Sequence, residues 1–180
     1  MTIIMNNSKS LITDEISKRN VFMATTAKIK IKDIIELREE LDQIYENKTQ
    51  IELAHWALNL AKHIFSLIDY DYKSVSIIID GFTANQKWQK GEARMHDVRQ
   101  AGFKVHQLAK ESRDAIFQAA LRVAGQAIGT GHMREHAMVA SDYAIKVVNL
   151  KFPDDMAAVK NEREWQIRTI LSVELKKAKA

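Results

Sequence analysis

Cysteine is absent from this chain, and proline occurs once, as Pro153. Without a thiol, structural disulfides, thiol catalysis, cysteine-based zinc sites and iron–sulfur clusters are all excluded. One proline and six glycines in 180 residues leave few obligatory turns, so long helices fit more easily than many short strands. Long apolar runs are missing too, and none reaches the ~20 residues that cross a bilayer. The opening MTIIMNNSKSLITDE has no basic stretch followed by a sustained apolar one, so no secretory leader is expected and the cytoplasm is the expected compartment. Charge of one sign is only mildly in excess, at +4. That permits an acidic partner without requiring nucleic acid.

What is present fits a folded chain: 46% apolar and 28% charged residues are close to globular averages. The basic excess is local. From Gln86 to Arg113, Lys87, Lys90, Arg94, Arg99, Lys104, Lys110 and Arg113 face only Glu92, Asp97 and Glu111. Residues 1–25 show no clear period and read as a loose tail or a short helix through Thr13 to Arg19. Residues 26–180 read as a single helical domain, an all-α bundle of six or seven helices.

Apolar spacing places those helices. Ile29 and Ile31 alternate with lysines, but Ile34, Leu37, Leu41 and Ile44 have helical spacing, which predicts a helix over 32–46. Thr49 and Glu52 form a capping-box signature ahead of a very apolar helix that ends near Asp69–Tyr72. Val75 to Ile79 has strand propensity but also fits one helical face with Phe82, and helix is favoured because an isolated strand lacks partners. A further helix follows Gly91. Ser112 is the expected cap of the next, Ala-rich helix, the fifth, whose glycines predict close packing and a kink or break near Gly131–Glu135. Pro153-Asp154-Asp155 marks the turn into the last helix, which frays in KKAKA.

Candidate chemistry centres on histidine. His132 and His136, four residues apart, are the candidate metal pair, with Glu135 or His106 as a further ligand. However, Met133 stands where a zinc protease has its glutamate, and no cysteine or obvious third ligand accompanies them. No metal or other cofactor is expected, since there is also no Walker loop and no dinucleotide glycine pattern. His96 and His106, near Glu92, Arg99 and Lys110, are an acid–base candidate without a positioned nucleophile. Arg122 and Gln126 lie one turn apart in an apolar segment. If buried, Arg122 needs a carboxylate, for which Glu92 and Asp142 are the candidates. The basic residues from Lys87 to Lys110 do not share one face and lack a nucleic-acid-binding motif, so nucleic acid is not the expected partner. Several wide apolar faces make a homodimer a further possibility.

The stretches GEARMHDVRQAGFKVHQLAKES and ALRVAGQAIGTGHMREHAMVASDYAIK resemble the Imm-5-like family of putative immunity proteins from bacterial polymorphic-toxin systems. Trp56-Ala57 matches an early Trp-Ala pair. Trp88, Gly91 and Glu92, followed by Arg94 and Met95, match a Trp-x-x-Gly-Glu stretch. Ala124, Gly125, Ala127 and His132, with His136, Ala137, Tyr143 and Ala144 beyond, match the Ala-Gly-x-Ala segment and its histidine. Glu162, Trp165 and Gln166 correspond to a Glu-x-x-Trp-Gln near the end. The likeness spans about residues 50 to 170 and is weakest at Tyr70–Ala84, where this chain lacks the family's proline- and arginine-containing loop. It implies an all-helical protein that binds and neutralises a cognate toxin rather than a catalyst. The basic charge disfavours a basic nuclease as that toxin, because complementary charge drives such encounters.

Overall fold

The computed structural model describes residues 22–174, and the short helix expected within residues 1–25 and the fraying KKAKA end lie outside the described residues. Seven α-helices make up the described chain: α1 (Ile35–Glu46), α2 (Gln50–Leu67), α3 (Ser76–Gln89), α4 (Met95–Glu111), α5 (Ala115–Gly129), α6 (His136–Lys151) and α7 (Met156–Ser172). No strand occurs among the described residues.

Helix α2 starts where the capping box places it. Thr49 Oγ1 accepts from the Glu52 N–H at 3.2 Å, and Glu52 Oε2 accepts from the Thr49 N–H at 2.8 Å. These bonds satisfy amides that have no partner within the helix. Behind the cap, Leu53, Trp56, Leu60, Ile64 and Phe65 are all fully buried. So wide an apolar face has to be enclosed on several sides, and α2 packs against α3, α5, α6 and α7.

The ambiguous segment at Val75 is helical. Val75 is the extended residue that precedes α3, and Ile78 and Phe82 point inward one turn apart. Asn85, also buried, donates to the Ile128 carbonyl at 2.9 Å. That bond adds to the longer one, 3.3 Å, that the Ile128 carbonyl accepts from the Gly131 N–H at the end of α5. Two boundaries differ from the expectation. Helix α1 begins at Ile35, because the chain before it runs extended and is held by Asn149, which accepts from the Lys32 N–H and donates to the Lys32 carbonyl. Asp114, not Ser112, caps α5: its carboxylate accepts from the Phe117 N–H at 2.9 Å, whereas Ser112 lies in the connection.

The expected break near Gly131–Glu135 is complete, and α5 and α6 are separate helices. The Thr130 carbonyl freed there accepts from Gln50 at 2.8 Å. Arg134 reaches across to the carbonyls of Tyr45 and Lys48, at 3.0 Å each, with its guanidinium over the Tyr45 ring. The turn is thereby fixed to the end of α1.

A buried ion network ties the outer elements together. The Arg163 guanidinium on α7, fully buried, donates to Asp33 at 2.6 Å and to Asp142 at 2.9 Å. Arg38 on α1 grips the same Asp142 through Nε and Nη2 at 2.9 and 3.0 Å. One carboxylate on α6 is therefore shared by two guanidiniums from opposite ends of the chain, with Asp33 as the second partner of Arg163. Asp142→Ala is expected to destabilise the fold by about 3–5 kcal/mol, the usual cost of leaving a buried partner charge uncompensated. Urea unfolding followed by helical circular dichroism measures this, and a loss below about 1 kcal/mol would show that the arginines do not depend on Asp142.

Candidate functional site

Small side chains on α5 decide what can lie against it. Ala119, Ala120, Ala124, Ala127, Gly125 and Gly129 are all buried. Helix α4 approaches so closely that a Cβ on Gly102 would stand 3.3 Å from the Gly125 carbonyl oxygen. Just beyond this contact, two imidazoles rest directly on glycine. A Cβ on Gly125 would come within 2.6 Å of His106 Cε1, and one on Gly129 within 3.1 Å of His136 Cδ2. Gly125 and Gly129 are one helical turn apart, so the rings sit one above the other along α5. His132, in the turn, lies with its ring centre 6.0 Å from that of His136.

Each ring on α5 is oriented by a polar residue of that helix. Arg122 donates to His106 Nδ1 at 3.1 Å, and His136 Nδ1 donates to Gln126 Oε1 at 2.6 Å. Arg122 is thus not paired with Asp142 or Glu92 as the sequence suggested. Asp142 is held by Arg38 and Arg163, and Glu92 is exposed. The polar pair of α5 instead reaches α4 through His106 and α6 through His136.

Burial holds His106 neutral far below the usual imidazole range, at about 4, helped by the positive charges of Arg122, His136 and Lys110. His136 is also pushed down, first by burial and then by His132, with Glu135 opposing. The three rings, with Arg99, Phe103 and Met133, line a cavity of about 260 Å³. Among the described residues no group of three or more histidine and acidic side chains is placed to hold a metal ion.

The remaining motif residues lie around this pocket rather than in it. Trp88 packs its ring over Gly131 behind the turn. Gly91 makes the turn into α4 with φ at +75°, and Arg94 pairs with Asp97 at the start of that helix. Glu135 lines a separate cavity on the far side of the turn with Arg38, Asp42 and Tyr45. Tyr143 packs, half-buried, against the core. His96 is exposed and takes no part. Sequence reasoning missed the rim, where Phe103 and Met133 are 51% and 46% exposed, with the Arg99 guanidinium 5.2 Å from the centre of the Phe103 ring. The signal was the phenylalanine itself, which interrupts the polar face of α4 between Arg99 and His106.

Seven helices with α2 and α5 at their centre, and a histidine-lined pocket at the α5–α6 turn, define an all-α bundle. The chain belongs to the Imm-5 like putative immunity protein family, whose model matches residues 43–173. No curated protein and no solved structure matches it. No described helix is long and apolar enough to cross a membrane.

Two predictions follow from the ring environment. An imidazole kept neutral in the fold, but protonated near pH 6.5 once unfolded, binds fewer protons in the folded state between pH 6.5 and about 4. Stability is therefore fully present above pH 6.5 and declines as the pH falls towards about 4. Urea midpoints against pH read this slope, and His106→Asn should flatten it. Gly125→Ala should fail to gain the ~1 kcal/mol of helix propensity that alanine normally adds, because its methyl displaces the His106 ring. NMR titration should then find His106 closer to 6.5, and an unshifted titration would show that the ring has room.

Proposed function

We propose that this protein neutralises a cognate toxin by binding it, without catalysis, through the face built by α4 and the α5–α6 turn. The observation that carries the placement is the rim of Phe103, Met133 and Arg99 around the histidine pocket. Aromatic residues, methionine and arginine are enriched at the centres of protein interfaces. Here Arg99 and Phe103 stand on α4 and Met133 in the α5–α6 turn, the two stretches that also carry the family motif. The family supports the toxin-binding role, and the rigid backing of α5 supports the face, since a preorganised surface loses little entropy on docking.

Acid–base catalysis is the competing reading, and the meeting of three imidazoles at one pocket favours it. Yet no serine, threonine, tyrosine or carboxylate lines that pocket among the described residues. Proton transfer there would have no nucleophile to activate and no acid to orient the base. Binding is the better-supported function.

The test is co-expression with a toxin found encoded beside this gene, scored by growth and by copurification. The unaltered chain should protect and copurify. Phe103→Asp combined with Met133→Asp should abolish both while leaving the thermal midpoint within a few degrees, because both side chains are exposed. Protection by the double variant would move the docking face elsewhere. Failure of the unaltered chain to bind would reject the toxin role, and self-association lost in the double variant would assign the face to a second copy of this chain.

A further inference from the structure

The charge around the histidine pocket is of one sign. Its titratable lining residues are Arg99, His106, His132 and His136, and no carboxylate lines it among the described residues. Behind His106, the half-buried Arg122 makes no ion pair among the described residues, and its guanidinium is spent on an imidazole. The other buried and half-buried arginines among the described residues, Arg38, Arg134 and Arg163, each meet an aspartate or glutamate. A guanidinium half out of water without a counter-ion is costly unless an anion is supplied from elsewhere.

The hydrogen-bonding state of the rings points the same way. Arginine can only donate, so His106 Nδ1 accepts from Arg122 and the ring carries its proton on Nε2. That N–H has no partner among the described residues, and neither has His136 Nε2. Neither is a sealed, orphaned atom: the one such buried atom among the described residues is Asp42 Oδ1. The pocket thus offers an accessible N–H donor, with the Arg99 guanidinium at its rim.

From this geometry we infer that the pocket receives a carboxylate of the bound toxin, from an aspartate or glutamate side chain, so that the toxin's docking segment is acidic. This rests on the toxin-binding reading above. A cavity of about 260 Å³ lies below the ~300–1,000 Å³ typical of cofactor-sized sites, which suits the tip of one side chain. The apolar rim of Phe103 and Met133 suits the methylene stem of a glutamate better than a sugar–phosphate chain.

Docking of the carboxylate brings proton uptake. His106 faces Arg122 on α5, Lys110 on its own helix and His136 on α6. His136 faces Gln126 on α5, His132 and Glu135 in the turn, and Lys28 in the segment before α1. Among the described residues Glu135 is the one acid that acts on either ring, and it lines a separate cavity. A carboxylate entering between the rings accepts the Nε2–H of neutral His106, whose Nδ1 stays on Arg122, and favours a proton on His136 Nε2, so the bound state takes up a proton and affinity rises as the pH falls.

The experiment uses the full chain labelled at histidine, titrated with acetate at constant ionic strength and followed by NMR. Acetate should move the His106 and His136 signals saturably, more tightly at the lower pH, and Arg99→Ala should weaken it about five- to tenfold, as loss of one charge-assisted hydrogen bond would. Gln107→Ala on the exposed side of α4 should change nothing. Methylammonium should leave both signals in place. Silent histidines, or an equal response to methylammonium, would overturn the inference. A hexaglutamate peptide should compete with acetate better than a short oligothymidylate, and the reverse order would assign the pocket to nucleic-acid phosphate instead. Acetate binding without toxin protection rejects the toxin reading and leaves the oxyanion pocket standing. Toxin protection with silent histidines rejects the carboxylate alone.

Discussion

Helix α5 has little side chain on the surfaces it turns towards its neighbours, and α2, α3, α4 and α6 all lie against it. Close approach of this kind excludes water and fixes spacing, because there is no flexible side chain to absorb a shift. The same absence of Cβ atoms that lets Gly102 of α4 meet the backbone of α5 also leaves two shallow seats at Gly125 and Gly129. Histidines from α4 and α6 fill them. The pocket is a consequence of packing around a helix of small residues, and its rings are held in place by the helix they rest upon.

Polar residues are placed where they resolve specific local problems. Asn85 binds a carbonyl at the end of α5, Gln50 answers the Thr130 carbonyl in the turn, and Arg134 binds two carbonyls at the end of α1. Asp142 joins α1 and α7 through their arginines. Away from the pocket, the buried arginines are answered by carboxylates. At the pocket the guanidinium of Arg122 meets an imidazole, and the local field stays positive. The two charge environments are separate, and the distinction between them underlies the functional reading. The aspartate–arginine network is neutralised within the fold, while the histidine pocket presents the Arg99 guanidinium and apolar side chains to the outside.

Most of the architecture was legible in the sequence because it depends on periodic or local chemistry. The apolar stripe of α2, the capping box at Thr49 and Glu52, and the helix break at Gly131–Glu135 each arise from neighbours within a turn or two. The Trp88, Gly91, His132 and His136 motif likewise carried the family. Legibility ended with interactions across the chain. Arg122 was correctly marked as needing a partner, but the carboxylate at Asp142 is taken by Arg38 and Arg163, more than twenty positions away in either direction. The cap of α5 was misplaced by two residues because Ser112 and Asp114 are both good caps, and only backbone geometry chooses between them.

By itself, then, the sequence determined the helical class, the positions of its helices and the residues that mark its family, since hydrophobic period, caps and glycine placement act over a few residues. Tertiary structure alone decided that His106, His132 and His136 share one pocket, that glycine seats two of them, and that Phe103 and Met133 stay exposed at its rim. Those features depend on how close two helices come and which charges are already paired, quantities set by contacts between distant parts of the chain.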